Sequence, residues 1–434
     1  MNNLVKIDLF KLIDEREKRL ESWVMANGEN LKEILKPLIE KISINFGSKR
    51  KFANYLMSKY NLSQSVSERF VWLMKDWVPL ILIREVADLV KIDYFDIQNS
   101  ISYLKINQPP LRVYRAVKEL SEDLCKIVGA HAADGTLSGN LIRITDGYKS
   151  DLVVLSKWLE NSFDVKYKIK KVKNSNEWAI EFHSGVISLY LRKVFDFPSG
   201  TKVYTVSEPE IIRNASLNFR KSFALGALTF EAGVGMKHQV DLCVSSKEFR
   251  DSIADILVLL NLRFTKMKNM SGEYWRLWSN KLTKDEANKW IALFEPNSEK
   301  WLLLNDYING YRGKASNFEQ ALSGLDKVYP SKSASKVCLK DVLMAIKELN
   351  KTHRYELVSY LCKKSNLNSY GGKWAHSLMN YLNILKEVNA IYVTRENFGK
   401  KKSFGSIVRE VYIYNPNISE WKVPFRDNNV TDNY

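Results

Sequence analysis

Cysteine is scarce in this chain: four residues in 434 (Cys125, Cys243, Cys338 and Cys362), with no CxxC pair among them. That scatter argues against zinc ribbons, dithiol redox motifs and a disulfide framework, so the thiols read as reduced core residues. The five histidines (His131, His183, His238, His353, His376) show no HExxH or HNH-like spacing, and each reads as a surface or packed side chain rather than a ligand. No GxxxxGK[ST] follows Gly371-Gly372, so a phosphate-cradling loop of that type is unsupported. Long apolar runs are missing too. Nothing approaches the roughly 18 uninterrupted apolar residues of a membrane span, and the first 23 residues lack the apolar core of a signal peptide. A cytoplasmic protein without membrane or small-molecule cofactor is therefore expected.

What the chain has in excess is positive charge: 66 Lys and Arg against 49 Asp and Glu, a formal +17 with pI near 9.4. The excess is uneven, +6 over residues 1–118, +3 over 119–300 and +8 over 301–434. Basic flanks around a more balanced middle point to a polyanionic partner, the other reading being a solubilising excess of lysine. At 434 residues one ordinary core is too small for the chain, and about two to four domains are expected.

The first third has helical spacing. "KEILKPLIEKISINF" ends at Gly47-Ser48, a stop and a plausible N-cap for "KRKFANYLMSKY". "NLSQSVSERFVWLMKDW" follows as a turn and a second helix carrying Arg69 and Lys75, and "VPLILIREVADLVKI" as a third. Phe52, Ala53, Leu56, Ser63, Ser65, Val66, Trp72, Pro79, Val86, Ala87 and Val90 fall in a rhythm that resembles the repressor-like helix-turn-helix family. A helical bundle with no nucleic-acid contact is the other reading.

Pro109-Pro110 marks a boundary. Beyond it "LIRIT", "YKIKKV" and "EWAIEF" alternate with period two, while "KSDLVVLSKWLENSF" and "GVISLYLRKVF" keep helical spacing. "QVDLCVSSKEFRDSIADILVLLNLRFTKM" repeats the order of "LIRITDGYKSDLVVLSKWLENSFDVKYKI", a duplication that predicts two halves about a pseudo-two-fold axis. Near the C-terminus three helical stretches precede "AIYVTRE" and "VREVYIYN", which flank the basic "NFGKKKSFGS". This is the layout of a winged helix whose wing presents Lys400, Lys401 and Lys402 to phosphates, or else of a charged hairpin on an oligomerisation module.

One pattern carries chemistry. "KIVGAHAADGTL" is a run of small residues closing on Asp134, and ninety-seven residues later "FALGALTFEAGVG" does the same with Glu231. The two segments resemble the LAGLIDADG, or DOD-type, homing endonuclease signature over Ile127–Gly135 and Ala224–Ala232, within a region of about 190 residues. Small residues at a contact face let two helix backbones approach closely, with Gly129 and Gly226 facing each other. The crossing then brings two like-charged carboxylates together, which makes sense around a cation such as Mg²⁺. A one-residue slip of the second copy, Leu225 to Gly233, would put Ala232 at the acid position; Gly226 at the crossing favours the unslipped register. Position six departs from the signature at Ala132 and Thr229, position seven at Phe230 and position nine at Ala232.

The resemblance implies catalytic Asp134 and Glu231 holding Mg²⁺, with Lys202 and Lys300 after the last helix of each copy as charge-balancing lysines. It implies two sheets forming a saddle on double-stranded DNA, for which Arg143, Lys166, Lys168, Lys170 and Lys171 are candidates in the first copy and Arg263, Lys266 and Lys268 in the second. Trp275 and Trp278 are further candidates for nucleic-acid contact. The expected α+β architecture is a helical helix-turn-helix-like domain (1–107, all-α), tandem αββαββα copies (108–305, divided near 118–205 and 206–305), a linker (306–332) and a winged-helix-like domain (333–417). The expected function is Mg²⁺-dependent double-strand cleavage at a long site by a monomeric, free-standing protein. A non-cleaving regulator on the same scaffold and an RNA-binding maturase are the alternatives.

Overall fold

The computed structural model describes residues 4–13, 22–107, 111–173, 175, 177–198, 200, 205–234, 239–268, 274–309, 317–328, 337–364, 374–400 and 406–422. It mixes helices with several small antiparallel sheets. The chain divides into two compact units, Met1–Gly233 with Gln239–Trp301, and Leu302–Tyr434 with Val234–His238. Among the described residues no helix is long and apolar enough to cross a membrane.

The first unit opens with β1 (Val24–Asn27), α1 (Leu31–Asn45), α2 (Lys49–Tyr60), α3 (Gln64–Val71), β2 (Val78–Pro79), α4 (Leu80–Val90), α5 (Tyr94–Gln98), β3 (Tyr103–Ile106) and β4 (Tyr114–Arg115). The Ser48 hydroxyl caps α2 by accepting the Lys51 N–H at 3.2 Å, a contact worth about 1 kcal/mol. Asn61 ends it in the left-handed region, φ 51°. Leu73, also at φ 51°, and the Met74 N–H donated to the Arg69 carbonyl stop α3 early. Lys75 therefore lies in the following loop rather than on that helix. A buried carboxylate joins α2 to α4: Glu85 accepts from Tyr55 and Tyr60 hydroxyls at 2.6 Å each and from the Lys59 ammonium at 2.6 and 2.8 Å. Burial works against the Glu85 charge, but these donors outweigh it and hold the carboxyl below its ordinary value.

The expectation of an all-α N-terminal domain is corrected: β2, β1, β3 and β4 pair in that order as an antiparallel sheet. Its strands are two to four residues long, too short for period-two alternation to register against the helices around them. β4 also lies beyond the boundary expected at residue 107, while Pro109-Pro110 fall outside the described residues.

Next come α6 (Glu122–Asp134), β5 (Gly135–Ser138), β6 (Leu141–Asp146), α7 (Lys149–Phe163), β7 (Ile169–Lys171), β8 (Trp178–His183) and α8 (Gly185–Leu189), which runs on as a π-helical turn over Tyr190–Val194. After the short α9 (Glu210–Arg213) the order is α10 (Leu217–Glu231), β9 (Gly233–Val234), β10 (Val240–Val244), α11 (Lys247–Leu259), β11 (Thr265–Lys268), β12 (Trp275–Trp278) and α12 (Lys284–Trp290). The sheets are ordered β5-β6-β8-β7 and β11-β12-β10-β9. In the longer strands one phase is turned inward, so that Ile142, Ile144, Ile180 and Phe182 in one sheet and Leu242 and Leu277 in the other are buried. Helix α13 (Glu299–Asn309) follows.

In the second unit, α14 (Phe318–Val328), α15 (Leu339–Leu349), β13 (Lys351–His353), α16 (Arg354–Lys364), α17 (Trp374–Glu387), β14 (Ile391–Lys400) and β15 (Ser406–Tyr414) share one core. Its sheet is ordered β13-β15-β14. Helix α14 arises inside the stretch expected to be a linker, and Ala321, Leu322 and Leu325 bury one of its faces in that core. Of the four cysteines only Cys125 is buried; Cys243 is exposed, and Cys338 and Cys362 are half-buried. The expectation of four core thiols thus holds for one.

Candidate functional site

The Ser121 hydroxyl starts α6 by accepting the Leu124 N–H at 3.2 Å, with Glu122 and Asp123 in the first turn where the helix dipole favours acids. From there α6 runs along α10 in close contact. A Cβ built on Gly129 lies 2.0 Å from the Phe223 carbonyl oxygen; one built on Gly226 lies 2.0 Å from the Lys126 carbonyl oxygen. These contacts are reciprocal, because each pair of matched positions (129 and 226, 126 and 223) is separated by the same ninety-seven residues. Each glycine thus meets the preceding turn of the other helix rather than the other glycine. Two backbones at this separation leave no room for a side chain, which is why the crossing is built of glycine and alanine.

Asp134 is the last residue of α6 and Glu231 the last of α10; Gly135 and Ala232 then turn the chain into extended backbone, each donating its N–H to the carbonyl four residues back. The two C-caps match in backbone form, φ −83° and −73° with ψ 149° and 141°. Glycine at 135 therefore answers a steric need rather than a left-handed one: a Cβ there would fall 2.2 Å from Nδ1 of the buried His131, whose ring stands edge-on to Phe197. In the second segment Leu228 takes the place of His131 and Ala232 that of Gly135. Both acids are half-buried. The Thr145 hydroxyl on β6 donates to Asp134 Oδ2 at 3.2 Å. On β10, burial and the neighbouring Asp241 and Glu231 carboxylates push the Cys243 thiol up, partly offset by Arg276.

A carboxylate at a helix C-terminus faces the negative end of the dipole, a cost of about 0.3–1 kcal/mol for each helix. The donor set is hard oxygen only, and among the described residues no group of three His, Cys, Asp or Glu converges to hold an ion. Carboxylate oxygens of this kind suit a cation that fills its remaining positions with water and ligand oxygens, as Mg²⁺ does.

Lys300 is placed elsewhere than on this acid pair. Its ammonium donates to Asp146 Oδ2 at 3.1 Å and Asp151 Oδ2 at 2.8 Å, with all three side chains at most 8% exposed. The Tyr148 and Glu299 N–H groups complete the cluster at 2.7 Å from Asp146 Oδ1 and Asp151 Oδ1. Burial pushes the Asp146 carboxyl up to about 7 despite Lys300, since two buried carboxylates share one cation. Burial opposes the Lys300 charge, but Asp151 and Asp146 outweigh it and hold the ammonium above its ordinary value. Lys202 lies outside the described residues.

Strand register sorts the basic candidates. Opposite the buried face of the first sheet, Thr136, Arg143 and Glu181 form one row and Thr145, Ala179 and Lys170 another. Lys168 is exposed just before β7, and Arg143 is 3.8 Å from Glu181. Lys171 pairs with Trp178 and Asp146 on the other face, its ammonium 4.9 Å from the Trp178 ring. Lys166 precedes β7 and pairs with Glu160 at 3.0 Å.

In the second sheet Lys266 shares the buried row of Leu277 and Leu242 and pairs with Asp251 of α11 at 3.2 Å. Lys268 pairs by backbone register with Trp275, its side chain lying outside the described residues, and Arg263 is exposed ahead of β11. The opposite face carries Thr265, Met267, Trp278 and Arg276, the last bidentate to Asp241. Trp278 thus shares the face of Arg276, whereas Trp275 lies on the helix-covered side with Arg250 4.8 Å from its ring. Arg69 and Lys75 are exposed. Lys401 and Lys402 lie outside the described residues, as does the side chain of Lys400. Sequence reasoning missed Thr145, Asp146, Asp151 and Arg276. A polar residue on the inward phase of an alternating strand, as Asp146 is in "LIRITD", was the available signal.

No protein-family model matches the chain, and no curated protein sequence matches it. Among solved structures it is similar to I-DmoI in complex with DNA and Mn, at 15% identity and TM-score 0.28, over 36% of this chain and 88% of that one. The same protein with DNA and Ca gives 15% identity and TM-score 0.32, over 42% and 97%; I-DmoI is described as a homing endonuclease. Full-length DUF199/WhiA from Thermatoga maritima gives 12% identity and TM-score 0.28, over 61% and 90%. At scores this low the likeness decides neither fold nor chemistry.

Proposed function

We propose that the chain is a DNA-binding nuclease of the homing type, which cuts both strands of a long duplex site with a divalent cation held between Asp134 and Glu231. The observation that carries this reading is the reciprocal glycine crossing of α6 and α10, which ends both helices on an acid. Two αββαββα halves in one chain, near 118–205 and 206–305, are supported by the matched element order and by the constant ninety-seven-residue offset. That offset favours the register with Glu231, not Ala232, opposite Asp134. Internal pairing of this kind fits a monomer.

When bound, Mg²⁺ supplies polarisation of the scissile phosphate and a lowered pKa for the attacking water. The chain's own part is to bind and orient: Asp134 and Glu231 hold the cation, Thr145 holds one Asp134 oxygen, and the exposed sheet faces with Arg143, Lys168, Lys170 and Arg276 lie along the phosphates. Lys300 is read as a structural cation. The order α15, β13, α16, α17, β14, β15 supports a winged helix in the second unit, and α2 with α3 a helix-turn-helix reader within 1–107.

Incubating the protein with a plasmid library of randomised inserts and Mg²⁺ tests the reading: linear product from a defined subset is expected, and Asp134→Asn should bind those sequences without cutting them. Binding without cleavage under any condition rejects the nuclease. One observation favours a non-cleaving regulator on the same scaffold, namely that Lys300 is committed to Asp146 and Asp151.

A further inference from the structure

We infer that Thr145 is a positioning residue for Asp134, setting the carboxylate in the orientation in which it takes a divalent cation; the inference rests on the reading of Asp134 as a cation ligand. The Thr145 hydroxyl donates to Asp134 Oδ2 at 3.2 Å from the neighbouring strand rather than from the helix that carries the acid. A half-buried carboxylate on the last residue of a helix has freedom about both side-chain torsions, and a hydrogen bond from a second element removes part of it.

That second element is itself held at this point. Thr145 pairs across the sheet with Ala179, and the next residue, Asp146, is gripped by the Lys300 ammonium at 3.1 Å and by the Tyr148 N–H at 2.7 Å. Lys300 belongs to the second half of the proposed pair, so the strand that orients the first acid is anchored from the other half. In the second sheet the residue directly opposite Arg276 on β10 is Cys243, close enough to Glu231 for that carboxylate to raise its thiol. A threonine serves one acid where a cysteine, a weaker donor, stands by the other.

The test is Mn²⁺ binding to the full-length protein, read by loss of the free-ion electron paramagnetic resonance signal, with Asp134→Asn setting the background. Thr145→Val keeps the side-chain shape and removes the donor; it is expected to weaken Mn²⁺ binding about tenfold or more, the usual effect of losing a ligand's hydrogen-bond partner. Thr145→Ser restores the donor and should restore the affinity, with melting temperatures matched across the three proteins. If wild type and Asp134→Asn bind Mn²⁺ alike, Asp134 is not a ligand and the underlying reading fails. If Asp134→Asn loses the ion while Thr145→Val binds it as wild type does, the nuclease reading stands and the positioning role is overturned.

Discussion

Replacing Gly129 with alanine tests the helix crossing directly. On a solvent-facing helix this change stabilises by about 1 kcal/mol, because alanine loses less backbone entropy than glycine. Here the added Cβ would lie 2.0 Å from the Phe223 carbonyl oxygen and 2.8 Å from the Ala227 nitrogen. Carbon contacts relax at about 3.5 Å, so the crossing must open by more than about 1 Å, and the obstructing atoms are backbone that cannot rotate aside. Overpacking of this kind costs about 1–3 kcal/mol, and the upper end applies because two long helices must move together. We expect a net loss of about 3 kcal/mol, or roughly 5 °C in melting temperature for a unit of about 300 residues. Gly226→Ala should cost a similar amount by the matched contact with the Lys126 carbonyl. The double variant should lose less than the sum, since one opening relieves both clashes. Calorimetric melting of the three variants is the assay, and a Gly129→Ala protein as stable as the parent refutes the crossing.

Other expectations follow from the buried charges and from the proposed partner. Asp146 titrates at about 7 in the folded chain against an ordinary 3.8, so the folded state holds a proton that the unfolded state has lost. Stability should therefore decline as pH rises from about 4 to 7 and then level off; Asp146→Asn should flatten that decline in a pH series of denaturant melts. Glu85→Gln withdraws the charge shared by Tyr55, Tyr60 and Lys59 and should cost about 2 kcal/mol, since the Lys59 left behind is half exposed and finds water. Because the Glu85 carboxyl is held below its ordinary value, the wild-type advantage should disappear as pH falls through the carboxylate range. Binding to duplex DNA should weaken steeply between 50 and 200 mM salt, on the order of a thousandfold if six phosphates are neutralised; a flat salt series would show that the +17 charge serves another purpose.

What the sequence made legible was governed by local pattern. The small-residue runs ending on Asp134 and Glu231 located both helix ends to the residue, because close packing dictates composition and the acid marks the stop. Longer segments such as "LIRIT", "EWAIEF" and "KSDLVVLSKWLENSF" were readable from their alternating or helical periods, and they fall on β6, β8 and α7. The two- to four-residue strands β1 to β4 were not, since too few residues alternate to compete with the helical context. Side-chain faces were lost for a different reason. Lys171 and Lys266 are exposed, as a linear reading has them, but strand parity puts each on the side of its sheet away from Arg143 and Arg276, and only register reveals parity. Lys300 was found as a residue of interest, but its partners Asp146 and Asp151 are about 150 positions away, where no spacing rule reaches.

The grip of Lys300 on Asp146 and Asp151 also ties the two segments to each other. The earlier segment carries the two buried acids and the later one supplies the ammonium, just as Glu295 supplies the carboxylate 3.1 Å from Lys126. Cutting the chain between the two segments would take the Lys300 ammonium away from Asp146 and Asp151, so the burial of those acids depends on the later segment being present.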